Sequence, residues 1–157
     1  MLSMREFGEV ADSPTPVMTF QVAGSWLGVP VEKMDRITST ERLWPVPLAL
    51  PHHLGLMHDN GELLPVLTLA TRLDMHTHSD LVAVVHVRGD SVGIAIDAAG
   101  RVYDDYRVHP GGSEAPLGLA IPEPKWTRTP NTEFWLFDPD RLWQNPGGNA
   151  VPPTPTV

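Results

Sequence analysis

Along the body of the chain, short apolar runs are separated by turn-forming residues. That pattern belongs to strands joined by tight turns, not to long helices. Val17–Val22 reads as a strand, Ala23-Gly24-Ser25 as a hairpin turn and residues 26–31 as the partner strand. Residues 34–40 extend as a third strand, while residues 32–35 can instead make a helical turn. Residues 54–58 and 62–67 flank Asp59-Asn60-Gly61. Asn-Gly between apolar runs is among the strongest hairpin signals, because both residues tolerate positive φ. Residues 68–75 predict a short helix with Thr68 as N-cap. Leu81–Val87 then pairs with residues 91–96 across Arg88-Gly89-Asp90, and residues 102–108 form a further strand. Residues 133–137 are the last strand. Residues 138–143 follow as a capped helix with Pro139 at its first position.

Proline reinforces this reading. The chain holds 17, many inside the body (Pro45, Pro47, Pro51, Pro65, Pro110, Pro116, Pro122, Pro124, Pro130), and they leave little room for a long helix. Residues 1–16 are polar, end in Ser13-Pro14-Thr15-Pro16 and read as a flexible tail. Residues 145–157 are rich in proline and glycine and read as disordered. The folded domain is expected over 17–144. A faint echo runs through it: Leu64-Pro65-Val66-Leu67 leads toward Arg72-Leu73, as Phe134-Trp135-Leu136-Phe137 leads toward Arg141-Leu142. Two related halves, each a small barrel, would produce such an echo.

Composition narrows the function. The 157 residues suit one domain or two small barrels with a common core. Eleven basic against 19 acidic residues give a net charge of -8, which argues against a nonspecific nucleic-acid binder. At 41% hydrophobic the chain can build a core. The absence of cysteine excludes disulfides, thiolate metal sites and a cysteine nucleophile. The first ten residues lack the basic flank and apolar stretch of a signal peptide. No apolar run approaches the length of a membrane helix. A cytoplasmic protein without membrane insertion is therefore expected.

The order of the pieces resembles the CheW-like domain family of bacterial chemotaxis adaptors. Phe20-Gln21-Val22 with Leu27-Gly28-Val29-Pro30-Val31 is similar to the family's opening hairpin. Met34 to Ile37 leads where its variable loop would begin. Gly55-Leu56-Met57-His58-Asp59-Asn60-Gly61 followed by Pro65-Val66-Leu67-Thr68-Leu69 resembles its Gly-Val-x-Asn-Leu-Arg-Gly and Pro-Val-x-Asp-Leu stretch. Leu81 to Val87, Val92 to Asp97 and Val102 resemble the second half, and residues 134–142 its closing strand and helix. The resemblance implies a mainly β fold of two intertwined five-stranded SH3-like barrels with short helices. It also implies a non-enzymatic adaptor, without cofactor, that joins a histidine kinase regulatory domain to a chemoreceptor tip. Where the family carries Asn-Leu-Arg-Gly, this chain carries His58-Asp59-Asn60-Gly61. An arginine offers a charged fork of five donors, which Asn60 cannot replace, and Asp59 adds a negative charge beside it. Altered partner specificity is the expectation.

Other chemistry is thinner. His52-His53, His58, His76 and His78 suggest metal binding, but no four-ligand set at a familiar spacing is visible. Asp104-Asp105 are adjacent and point to opposite faces if extended. Asp138 and Asp140 suit a helix start better than acid–base work. There is no nucleophile elbow or phosphate loop. Of the five tryptophans, Trp135 reads as core and Trp126 lies in a polar loop. Trp44, with Arg42 nearby, either anchors an interface or folds over a barrel mouth. The expected partner-binding residues are Arg42, Trp44, His58, Asp59, Asn60 and Gly61, with no catalytic or metal residues. Two alternatives remain: a regulator of the same fold serving another pathway through a dedicated protein partner, with -8 favouring a basic surface, or a small-molecule or metal binder.

Overall fold

Among the described residues, three turns place two successive residues at positive φ: Ala23-Gly24 (51° and 84°), Asn60-Gly61 (52° and 82°) and Arg88-Gly89 (52° and 88°). This is the type I′ geometry whose twist matches that of the strands it joins. The computed structural model describes residues 15–40, 42–45, 53–70, 80–110, 114–116 and 118–143. The first turn joins β1 (Val17–Val22) to β2 (Ser25–Pro30). A short 3-10 turn, Val31–Lys33, leads to β3 (Met34–Ser39), so both readings of that segment are realised in succession. The second turn joins β4 (His53–Asp59) to β5 (Glu62–Leu67), and the third joins β6 (Leu81–Val87) to β7 (Asp90–Ala95). Then come β8 (Ala98–Tyr103), β9 (Arg107–Val108), β10 (Lys125–Arg128), β11 (Glu133–Leu136) and a 3-10 turn at Pro139–Trp143.

The strands form two sheets, in the orders β8-β1-β2-β11-β10-β9 and β3-β6-β7-β5-β4. The first has six members because the two-residue β9 is added to the expected five. Each sheet contains one parallel pairing, β11 with β2 and β5 with β7. Those pairings reveal the repeat behind the sequence echo. Positions 65 apart correspond through β1-β2-β3 and β6-β7-β8: Gly24 with Gly89, Gly28 with Gly93, Arg36 with Arg101. The pairs Met34↔Val85 and Ala99↔Phe20 flank the same bulge in the two sheets. Yet β3 pairs with β6 and β8 with β1, so each sheet takes its first hairpin from one repeat and the other main strands from the other. This exchange is what intertwining means here.

The exchange fixes the core. Phe20, Leu27 and Val29 from one sheet meet Ala83, Val85, Val92 and Ile94 from the other in a shared cluster. The opposite face of β6, Val82 and Val84, packs with Met57, Leu64 and Val66 inside the five-stranded sheet. With both faces buried, β6 must be apolar throughout its middle, as its sequence is. Inside the six-stranded sheet, fully buried Phe134 stacks on Tyr103 and meets Tyr106 edge-on. Gly28 and Gly93 occupy the two parallel crossings. A Cβ there would lie 2.7 Å from the Phe134 ring and 2.7 Å from Val82 Cγ1, respectively.

Four expectations change. The strand over 102–108 is broken: β8 ends at Tyr103, Asp104-Asp105 bend, and β9 begins at Arg107. Trp126 lies in β10, not in a loop, edge-on to Trp135 at 4.9 Å. Trp135 is partly buried and packs against the shared core from its margin. For the helix over 68–75, Thr68 Oγ1 does accept the Ala70 N–H at 3.1 Å, but Ala70 bridges to Leu119 and Leu69 O accepts the Ala120 N–H. The backbone at 69–70 is thereby used across the chain, and residues 71–79 lie outside the described set.

Candidate functional site

The β4–β5 tip is shaped by its turn. Asn60 sits at φ 52° and Gly61 at φ 82°, conformations that asparagine and glycine accept at low cost. Asp59, the negative charge expected beside Asn60, is held in an ion pair. Arg36 on β3 donates to Asp59 Oδ2 from Nε at 2.9 Å and from Nη2 at 2.6 Å. The same guanidinium meets Glu62 at 3.5 Å and pairs with Asp35. The Asp59 carboxylate, above all, pushes the Arg36 pKa further up. Since β3 and β4 are the two outer strands of their sheet, this cluster joins its edges and closes it. Three carboxylates around one guanidinium leave the tip negative.

Beside the tip, Trp44 adds to the edge of β4. Its N–H donates to Leu56 O at 2.8 Å, and Leu56 N–H donates back at 2.9 Å. Gly55, at φ 148°, permits this approach, because a Cβ there would stand 2.7 Å from Trp44 O. Directly paired residues share a face, so Trp44, Leu56 and Pro65 form one row across the strands, and His58 and Leu63 the next row on the same side. Trp44 is 47% exposed and Leu63 63% exposed. The Arg42 guanidinium lies 3.8 Å from the centre of the Trp44 ring. Trp44 therefore stands outward at the sheet edge, while its neighbour Leu43 packs inward.

The structure thus gathers all six expected residues in two adjoining groups: Arg42 and Trp44 along the edge, and His58 to Gly61 at the tip. Sequence reading missed Arg36 and Leu63. Leu63 was legible in principle, since strand alternation opposes it to buried Leu64. Arg36 was missed because the partners that tie it to the tip, Asp59 and Glu62, lie more than twenty residues away, and adjacent Asp35 gives no sign of them.

The other candidate chemistry disperses. Among the described residues no group of three His or carboxylate side chains could hold a metal ion. His52, His76 and His78 fall outside those residues. Asp104 and Asp105 are exposed at a bend. Asp138 and Asp140 both bind Lys33, at 3.1 and 2.8 Å, and Asp140 Oδ1 accepts the Arg88 N–H at 2.8 Å. Asp138 also accepts the Asp140 N–H, in the expected capping role. The Lys33 hydrogen bond foremost, then that of Arg88, holds the Asp140 carboxyl below the usual aspartate range.

A family model described as the CheW-like domain matches residues 16–105. No curated protein matches the chain. Among solved structures, the chain is similar to the scaffolding protein TtCheW from Thermoanaerobacter tengcongensis, with a TM-score of 0.72 over 88% of this chain and 97% of that one. At 17% identity that likeness is one of fold.

Proposed function

Because the chain belongs to the CheW-like domain family, we propose that it is a non-enzymatic adaptor of a chemosensory pathway. In this reading it couples a histidine kinase regulatory domain to chemoreceptor tips by protein contacts alone, in the cytoplasm, with altered partner specificity. The described residues include no helix long and apolar enough to cross a membrane.

The observation that carries the reading is the outward row at the β4 edge. An exposed leucine on β5 and an exposed tryptophan bridged to the edge of β4, with an arginine on the tryptophan face, stand there together. Aromatic and arginine anchors of this kind concentrate interface energy. The tip beside them differs from the family pattern in charge, with Asn60 in place of arginine and a net-negative cluster around Arg36. That difference also supports a second reading, a regulator of the same fold dedicated to one partner with a basic surface.

Binding to the kinase regulatory domain and receptor tips of the same genome separates these readings. Under the adaptor reading, micromolar binding is expected, and Asn60→Arg strengthens the receptor contact. Absence of binding to all of them by a well-folded protein contradicts the adaptor reading and favours the dedicated regulator.

A further inference from the structure

The internal repeat makes each half of the molecule a reference for the other, and the two halves differ at one point of chemical consequence. Arg101 on β8 occupies the position of Arg36 on β3: Arg36 follows the irregularity after Met34, and Arg101 lies in the one between Ala99 and Val102. Arg36 is enclosed by Asp35, Asp59 and Glu62. Counting outward from the two parallel crossings, Leu136 on Gly28 and Val66 on Gly93, places Thr132 where Glu62 stands and Thr129 where Asp59 stands. The Thr129 N–H donates to Thr132 O at 2.8 Å, which fixes that last rung. The residue before the arginine changes from Asp35 to Gly100. All three carboxylates are therefore absent from the second setting, and the Arg101 guanidinium has no carboxylate partner among the described residues.

What stands in their place is space. A cleft of about 420 Å³ opens there, lined by Trp26, Gly100, Arg101, Tyr103, Asn131 and Thr132. Gly100 lets its wall close in: a Cβ there would meet Thr19 Oγ1 at 2.3 Å and Trp26 Cζ3 at 2.7 Å, so only glycine admits the Trp26 ring and the Thr19 hydroxyl this close to β8. The Thr19 hydroxyl is committed to Arg101 O at 2.8 Å, which holds the backbone of β8 in place. The volume lies in the range of small-ligand pockets, and a pocket with aromatic walls and one cation suits an anion on a flat apolar body.

We propose that this cleft binds a carboxylate supplied from outside the chain, seated on Arg101 as Asp59 is seated on Arg36. The carboxylate comes either from a small organic acid or from a Glu or Asp side chain of a peptide. The inference rests on the repeat and is independent of the adaptor reading.

The test is an NMR titration of the full chain that follows the Arg101 Nε–H and Trp26 indole N–H resonances. Benzoate and acetyl-Gly-Glu-Gly-amide are the two carboxylate probes, and benzamide is the neutral control. A saturable shift of both resonances is expected with at least one carboxylate probe, with Kd in the millimolar range, and not with benzamide. Preference for benzoate identifies a small acid as the source, and preference for the peptide an acidic segment. Arg101→Gln, an exposed position, should weaken binding at least about 10-fold. Thr132→Glu restores an internal carboxylate at the Glu62 position and should compete the probe out. Absence of a saturable shift with either carboxylate, an equal shift with benzamide, or binding retained in Arg101→Gln would overturn the proposal.

Discussion

Single atoms decide several features of this molecule. At Gly28 a methyl group would lie 2.7 Å from two ring carbons of Phe134, itself fully buried between its neighbours. The ring has nowhere to turn, so Gly28→Ala is an overpacking change, expected to cost about 1–3 kcal/mol in urea unfolding. A loss well under this range would show that the strands at the crossing can separate. At Gly55 the strain is local and functional in consequence. A Cβ would strike Trp44 O, so Gly55→Ala should free Trp44 from β4. Hydrogen exchange at the Trp44 and Leu56 amides should rise, while the amides of β6 keep their protection. The sequence showed Gly55 as part of a family-like stretch, but the reason for the glycine, a backbone oxygen at contact distance, belongs to tertiary structure.

At the scale of elements, alternation and turn chemistry were good guides. The β1–β2, β4–β5 and β6–β7 hairpins were legible because an apolar run stands on each side of a short turn whose second residue is glycine. β10 was not legible, because its inward residue is Thr127, fully buried, and its apolar residue, Trp126, packs from the side against Trp135. The candidate tip was legible as a hairpin, yet the pairing of Asp59 with Arg36 was not, since hydropathy gives no sign of which strands meet. The Pro139–Trp143 turn was foreseen as a capped helix, and the structure adds its purpose. Asp140 ties Lys33 after β2 and the Arg88 turn to the end of the chain body. Its lowered pKa sets the sign of a pH effect. A depressed carboxylate contributes stability above its unfolded pKa and loses it as pH falls through the folded one. Acid unfolding curves from about pH 5 downward should therefore show less loss of stability in Asp140→Asn than in the parent. Curves that fall in parallel would deny the clasp an energetic role.

For the whole molecule, the exchange of strands between repeats has a direct consequence. Neither half holds a complete sheet: β1 and β2 need β8, β10 and β11, while β6 and β7 need β3, β4 and β5. Both sheets also contribute to one cluster. Unfolding should be a single transition, with tryptophan fluorescence and far-ultraviolet circular dichroism coincident. A fragment of residues 1–80 should not fold alone. Two separated transitions would mean that the sheets are independent. The repeat was only glimpsed in the sequence, through the resemblance of 64–67 to 134–137. Few side chains besides the glycines at the turns and crossings are shared, because shared backbone pairings, more than shared residues, define it.

The proposed adaptor function depends on the outward row at the β4 edge, and one measurement addresses it most directly. Biolayer interferometry of the intact protein against the kinase regulatory domain and receptor tips of its own genome should be run with Trp44→Ala in parallel. The account predicts micromolar binding by the parent and a loss of at least about 10-fold in the variant, with unfolding midpoints nearly equal because Trp44 is half exposed. Binding of equal strength by both proteins would contradict the proposed contact face, and no binding by either would contradict the adaptor function itself.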